Sequence, residues 1–188
     1  PLALGTQTAG SVCRPAAFCG VYAYKPTTGR TPPAGVTPFA PSFDTVGVMG
    51  LRYDDVVRAG LASIGERSNV ATEASGPLTF ARVQDAYFHG IDPECQAALD
   101  RVADLLVDGG HRVVDIGLGE DFQLLRDEHR LMMHAEAFRN HPAMLGTQSN
   151  RLRPSWKAAL ARGRQIDEAG YDRAARAIGR ARQSILAV

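Results

Sequence analysis

Apolar residues recur every three or four positions in two stretches in the middle of the chain, which is the spacing of one face of a helix. The first stretch, residues 53–65, contains two acidic residues at its start and ends at Gly65, and it predicts one helix. The second begins at Asp92 and Pro93, a favourable N-cap and a favourable first helical residue, and predicts a helix that runs to about residue 110. Its apolar face consists of Leu99, Val102, Leu105 and Leu106.

Short apolar runs flank this second helix. "LTFARVQDAY", residues 78–87, precedes it, and "RVVDIGL", residues 112–118, follows it. A strand, a helix and a strand in this order predict a crossover unit with two neighbouring parallel strands. From about residue 120 the pattern is helical, with a proline-containing break around residues 142–154.

The first 50 residues hold few charges and many glycine, proline, threonine and alanine residues. They include the short apolar stretch "CGVYAY", residues 19–24, and predict buried strands joined by turns and long loops. The whole pattern predicts an α/β fold, in which a mixed β-sheet core is flanked by helices. Because the chain begins mid-pattern at Pro1 and stops inside a helical pattern, we expect a fragment that is incomplete at both ends.

The composition excludes several classes of protein. The chain has 188 residues, of which 45% are hydrophobic and 22% charged, as in an ordinary globular domain. A net charge of +1 with dispersed arginines argues against a nucleic-acid partner, and no apolar run is long enough to predict a membrane span. No H-E-x-x-H spacing occurs, so we expect no metal site.

The cysteines indicate a reducing compartment. Cys13, Cys19 and Cys95 are an odd number without metal-ligand spacing, which favours a cytoplasmic protein over a disulfide framework. A nucleophilic cysteine would need an activating base beside it. We therefore expect Cys13 and Cys19 to be buried small hydrophobic residues.

Ser11 ends a run of small and hydroxylated residues, "GTQTAGS", residues 5–11. A serine nucleophile needs a proton acceptor and backbone N–H donors that stabilise the oxyanion, and small residues let successive N–H groups turn toward one point. The surrounding "AGSVC" departs from the G-x-S-x-G elbow. The residues alone leave two alternatives open, a nucleophile and a turn or N-cap serine.

Two longer segments resolve part of this ambiguity through a resemblance. "GTQTAGSVCRPAAFCGVYAYKPTTGR", followed by "GVTPFAPSFDTVGVMG", resembles the amidase signature family, with "PAAFCG", "KPTTGR" and "SFDTVG" in order at the family's spacing. The specific match covers about the first 50 residues. The resemblance implies that residues 1–188 are part of a single amidase domain, with residues 1–50 as the signature segment and 51–188 as a helix-rich later half.

The resemblance also implies a function and its residues. Members hydrolyse a carboxylic amide to an acid and ammonia or an amine through an acyl-serine, without a cofactor. Ser11 matches the nucleophile, and the oxyanion donors would be the backbone N–H groups of Thr8, Ala9, Gly10 and Ser11. Gln7 and Ala9 depart from the family's common Asp and Gly.

Arg14 follows Ser11 by three positions, an arrangement similar to malonamidase-type members of the family. This resemblance implies that Arg14 binds a substrate carboxylate bidentately. The alternative is that Arg14 pairs with a carboxylate of the protein and fixes the loop. Asp44 is expected to organise its loop by hydrogen bonds rather than to take part in the chemistry.

The family's triad consists of a serine, a cis-serine and a lysine, and its last two members lie upstream of the nucleophile. Neither Lys25 nor Lys157 matches the catalytic lysine, so we expect the 188 residues alone to be inactive. We also expect them to expose apolar surface, and therefore to be unstable or to associate, for example as a homo-oligomer. Two alternative functions remain: an amidotransferase component that passes ammonia to a partner subunit, and an inactive homologue with a structural or binding role.

Overall fold

The computed structural model describes residues 1–66, 76–85, 90–146, 150 and 152–187. The chain divides into two compact units, the first built from Pro1–Val70 and His129–Ala174, the second from Ala71–Glu128 and Ala175–Val188. The described elements are, in chain order, β1 Leu2–Gln7, α1 Cys13–Phe18, β2 Tyr22–Tyr24, β3 Thr45–Gly50, α2 Tyr53–Ser63, β4 Thr79–Val83, α3 Pro93–Asp108, β5 Arg112–Ile116, α4 Phe122–Asn140, a 3₁₀ turn Pro142–Leu145, α5 Pro154–Arg164 and α6 Glu168–Leu186.

The first unit contains an antiparallel sheet of three strands in the order β1-β3-β2. The central strand β3 is mostly buried, and Val48 on it is fully buried. The edge strand β1 is mostly exposed, with Leu4 at 74% exposure. The prediction of buried strands is therefore right for β3 and wrong for β1 and for β2, the strand formed by the apolar stretch of residues 19–24, on which Tyr22 and Tyr24 are exposed. Both are edge strands, each with β3 as its one neighbour among the described residues.

Helix α2, which corresponds to the helix predicted over residues 53–65, packs against β2 and β3. Gly60 on α2 allows this approach, because a Cβ atom there would lie 2.5 Å from Cδ1 of Tyr24. Gly65 follows the helix with a φ of 78°, a conformation that favours glycine. The predicted helix and its glycine stop are confirmed.

Helices α4 and α5 pack closely in the same unit. A Cβ atom built at Gly163 would overlap the carbonyl oxygen of His134 and would lie 2.9 Å from Cβ of Phe138. Ala137 on α4 and Leu160 on α5 are fully buried. The interface therefore depends on small residues that let the two helix backbones approach each other.

The second unit confirms the predicted crossover. Strands β4 and β5 pair in parallel, with α3 between them in the chain, and the carboxylate of Asp92 accepts a hydrogen bond of 2.9 Å from the backbone N–H of Glu94 at the start of α3. No residue of α3 is buried, and Leu99, Val102 and Leu105 are 51%, 54% and 62% exposed. The apolar face of α3 is thus present but uncovered by the described residues, in line with the expected exposure of apolar surface.

The segment of residues 13–19 differs from the sequence prediction in two ways. The short helix α1 is absent from the sequence prediction, because its six residues are too few to show a periodic pattern. Cys13 and Cys19 are exposed thiols rather than buried ones, since Val12 and Ala16, four residues apart, form the buried side of this segment. Cys95 is exposed as well.

Within the described residues, no helix is long and apolar enough to cross a membrane. The same residues contain no cluster of three or more histidine, cysteine, aspartate or glutamate side chains suited to a metal ion.

Candidate active site

Residues 8–11, which we call the serine loop, connect β1 to the segment that opens α1. Val12 directly after the loop is fully buried, and its side chain lies against Gly5 and Gly47 on two neighbouring strands. Gly10 has a φ of 154°, outside the range that L side chains commonly adopt. Ser11 itself is exposed. Small residues in the sheet thus anchor the loop, and the serine faces solvent.

The side chain of Gln7 organises the turn that follows the serine. Its Oε1 accepts hydrogen bonds from the backbone N–H groups of Val12 at 2.8 Å and Cys13 at 2.9 Å. The N–H of Arg14 donates to the carbonyl oxygen of Gly10 at 2.9 Å. Gln7 thus satisfies two N–H groups at the start of a helix without a charge, which explains how this departure from the family pattern is accommodated.

In contrast to the N–H groups of Val12, Cys13 and Arg14, the four backbone N–H groups of the serine loop have no acceptor among the described residues. None of these residues is bonded to the Ser11 hydroxyl either. Backbone N–H groups are strong donors that normally find a partner. The loop therefore presents four unused donors next to an exposed hydroxyl group.

Asp44 fixes the serine loop from the side. Its Oδ1 accepts a hydrogen bond of 2.5 Å from the Thr8 hydroxyl, and its Oδ2 accepts from the backbone N–H groups of Phe39 at 2.7 Å and Ala40 at 2.9 Å. One carboxylate thus joins two loops that are far apart in the sequence. The expectation that Asp44 organises its loop by hydrogen bonds is confirmed.

His129 on α4 contacts the same loop from another side. Its Nε2 lies 3.3 Å from the carbonyl oxygen of Thr8, and its ring lies 4.3 Å from the ring of Phe43, centroid to centroid. Burial lowers the pKa of His129 below its ordinary value of 6.5, although the hydrogen bond to the Thr8 carbonyl oxygen raises it in part. The charges of Arg130, which lowers this pKa, and Glu136, which raises it, have smaller effects. A neutral His129 with its proton on Nε2 donates to the Thr8 carbonyl.

Glu136 attaches the loop of residues 38–44 to α4. This buried carboxylate accepts hydrogen bonds from the backbone N–H of Ser42 at 2.9 Å and from the hydroxyl of Tyr171 at 2.7 Å. Burial and the bond to Glu136 both raise the pKa of Tyr171, so the phenol stays protonated and donates. His141, directly after α4, adds a second hydrogen bond to this loop, since its Nε2 lies 2.6 Å from the Pro38 carbonyl oxygen.

The sequence analysis missed His129 and Glu136 as parts of the site. It considered the histidines only as metal ligands, and no local pattern distinguishes either residue from others on the same helix. His129 is 121 positions from Thr8 in the sequence, and Glu136 is 94 positions from Ser42. Only the packing of α4 against the first 50 residues brings them together.

Arg14 is exposed on α1 and forms no ion pair with a carboxylate of the described residues. Lys25 donates to the carbonyl oxygen of Pro26 at 2.7 Å, and Lys157 is exposed on α5. The predicted site residues Thr8, Ala9, Gly10, Ser11 and Arg14 thus lie on one continuous segment, the serine loop and the first turn of α1, and the guanidinium of Arg14 is available to a ligand.

Acidification should destabilise the protein, because burial lowers the pKa values of both His129 and His134 below 6.5 in the folded state. The unfolded chain then binds protons more readily, so stability is lost as the pH falls below about 6.5 and through the lower folded pKa values. We expect the midpoint of thermal unfolding to fall between about pH 7.5 and 5.5. The double variant with His129→Gln and His134→Gln should show a smaller fall, and equal falls in the two proteins would contradict this assignment.

Comparison with known proteins now identifies the family. The family model described as Amidase matches residues 1–187. The chain belongs to the amidase family. Its expected α/β fold is confirmed by a crystal structure of an amidase, which superposes with a TM-score of 0.88 at 25% identity over 98% of this chain and 42% of that one.

Curated relatives of this amidase-family chain include proteins of two kinds. A glutamyl-tRNA(Gln) amidotransferase subunit of Rhodospirillum rubrum is 36% identical over 130 residues, which cover 62% of this chain and 26% of that protein. The 2-amino-5-chloromuconic acid deaminase of Comamonas testosteroni is 35% identical over 116 residues, which cover 60% of this chain and 25% of that protein. The chain spans about a quarter of the length of these two relatives.

Proposed function

We propose that the protein carrying this chain hydrolyses a carboxylic amide, with Ser11 as the nucleophile. The Ser11 oxygen attacks the carbonyl carbon, and the N–H groups of Thr8, Ala9, Gly10 and Ser11 stabilise the oxyanion of the tetrahedral intermediate. Ammonia or an amine then leaves, and water hydrolyses the acyl-serine to the acid. The exposed serine beside four unused N–H donors is the observation that carries this proposal.

The proton acceptor in this proposal is a cis-serine and lysine pair, as in the family that the sequence resembles. Lys25 and Lys157 match neither position. A serine without its base is a poor nucleophile at neutral pH, so we expect the 188 residues alone to be inactive. The thiol state of all three cysteines supports a cytoplasmic location, where disulfides are rare.

Arg14 gives the proposal a substrate preference. Its guanidinium is exposed one turn after Ser11 and is unpaired with any described carboxylate, which leaves its fork of N–H donors for a ligand. A planar guanidinium binds a carboxylate bidentately. We therefore expect a small amide that carries a carboxylate to be a better substrate than its neutral analogue.

A second candidate function comes from the relatives. The glutamyl-tRNA(Gln) amidotransferase relative at 36% identity favours a protein that generates ammonia for a partner subunit. Both candidates share the acyl-serine step, and they differ in the destination of the ammonia. Release of free ammonia by the isolated protein at full rate supports the amidase, whereas a rate that depends on a co-purifying partner supports the amidotransferase.

The shared step is tested by treating the intact natural protein with a fluorophosphonate, followed by intact-mass measurement and peptide mapping. We expect a single adduct on Ser11 and no adduct in the Ser11→Ala variant, because fluorophosphonates react with serines whose hydroxyl is activated. A folded protein that remains unlabelled, or one labelled at another residue, would refute Ser11 as the nucleophile.

A further inference from the structure

The peptide that links Thr8 to Ala9 has two functional ends. Its carbonyl oxygen belongs to Thr8, and its N–H belongs to Ala9, one of the four donors of the serine loop. A peptide unit is planar, and in the trans form its C=O and N–H point in opposite directions. Any contact that fixes the Thr8 carbonyl therefore also fixes the direction of the Ala9 N–H.

His129 makes such a contact. Its Nε2–H donates to the Thr8 carbonyl oxygen across 3.3 Å, and its ring is held against Phe43 at 4.3 Å between centroids. In addition, the Thr8 hydroxyl donates a hydrogen bond to Asp44. Thr8 is thus held through its backbone and its side chain. The backbone N–H of Ala9 has no hydrogen-bond acceptor among the described residues, so it is oriented through Thr8.

The helix that carries His129 is itself fixed to the neighbouring loop. Glu136, seven residues further along α4, accepts from the backbone N–H of Ser42, and that loop also contains Asp44. His129 and Asp44 therefore reach Thr8 from elements that are bonded to each other. This arrangement restricts rotation of the Thr8–Ala9 peptide more than a single hydrogen bond to a mobile side chain would.

We infer that His129 is a positioning residue, which aims the Ala9 N–H at the oxyanion by holding the carbonyl end of the same peptide. The inference rests on the proposed function, because it assigns a role within the oxyanion-stabilising loop. His129 contacts neither the hydroxyl of Ser11 nor any reacting atom in this role. A hydrogen bond to the carbonyl also polarises the peptide, which strengthens its N–H as a donor.

Two substitutions separate the donor from the ring. His129→Phe keeps an aromatic ring against Phe43 and removes the hydrogen-bond donor, whereas His129→Gln places an amide N–H near the position of Nε2. Loss of a whole oxyanion donor costs about 10²- to 10³-fold in kcat, and loss of its orientation costs less. We expect His129→Phe to lower kcat and the rate of Ser11 phosphonylation about 10- to 100-fold, with KM nearly unchanged.

The outcomes are distinct when measured on the intact natural protein. His129→Gln should recover most of the rate that His129→Phe loses. A wild-type rate in a folded His129→Phe protein, or an equally slow His129→Gln protein of wild-type stability, would overturn the inference. A wild-type protein that is not labelled at Ser11 would instead refute the proposed function itself.

A backbone substitution at residue 9 tests the coupling between His129 and the Ala9 N–H directly. Because residue 9 is alanine, L-lactic acid introduced there by nonsense suppression replaces its N–H with an ester oxygen and keeps the methyl group. In this ester protein the donor is already missing, so His129→Gln and His129→Phe should have equal rates. A difference between them as large as in the amide protein would show that His129 acts elsewhere.

Discussion

Replacing Ser11 by alanine should lower kcat for amide hydrolysis by at least about 10³-fold and leave the thermal stability unchanged. The rate falls because removal of the nucleophile eliminates the acyl-serine route, and the remaining rate enhancement comes from the oxyanion-stabilising loop. Stability should not change, since the Ser11 side chain is exposed and has no hydrogen-bond partner among the described residues. The measurement is the initial rate of ammonia release at saturating substrate, together with the midpoint of thermal unfolding.

Ser155→Ala is the matched control for this variant. Ser155 is also exposed, and it lies in the first turn of α5, away from the serine loop in the sequence. We expect its kcat to equal that of the wild type. A Ser11→Ala protein with more than about a tenth of the wild-type kcat would assign the nucleophile to another residue.

The serine loop shows how local sequence can leave several backbone N–H donors free within a short segment. Gln7 and Gly10 accept from the N–H groups that follow the loop, and the N–H groups within it remain without acceptors in the described chain. The arrangement depends on local sequence, since a capping side chain, a glycine and a buried valine are all within six residues. A motif of this kind is visible to sequence analysis because its parts are contiguous.

The residues that hold the loop in place are not contiguous, and sequence analysis did not identify all of them. Asp44 was recognised because it belongs to the segment that resembles the family. His129 and Glu136 lie on α4, whose apolar pattern predicts a helix but does not specify which side chains face the first 50 residues. Long-range packing decides that, and a single sequence carries no signal of it.

In the fold as well, local patterns were predicted from the sequence and tertiary burial was not. Periodicity predicted α2 and the strand, helix and strand unit of residues 78–118, because each is long enough for its pattern to be read. It did not predict α1, and it gave the wrong burial for β1, β2, Cys13 and Cys19. Burial depends on which neighbours cover an element, and the position of β1 at a sheet edge is a property of topology rather than of composition.

Gly163→Ala should be the most destabilising small substitution in the first unit. Its Cβ would overlap the carbonyl oxygen of His134 and lie 2.6 Å from the carbonyl carbon, so one helix must move away from the other. Overpacking of a core typically costs about 1–3 kcal/mol, and we expect a loss at or above the upper end because the obstacle is backbone rather than a flexible side chain. The gain in helix propensity from glycine to alanine, about 1 kcal/mol, offsets only part of this loss.

Gly179→Ala, on helix α6, is the control variant, and we expect no loss of stability from it. A Cβ atom at Gly179 meets no atom within 4 Å, and the residue is exposed on α6, so this variant should be as stable as the wild type or up to about 1 kcal/mol more stable. Urea unfolding followed by circular dichroism measures both variants. Equal stability of the two alanine variants would mean that α4 and α5 do not approach each other at Gly163, and the placement of α5 against the helix that carries His129 and Glu136 would then be wrong.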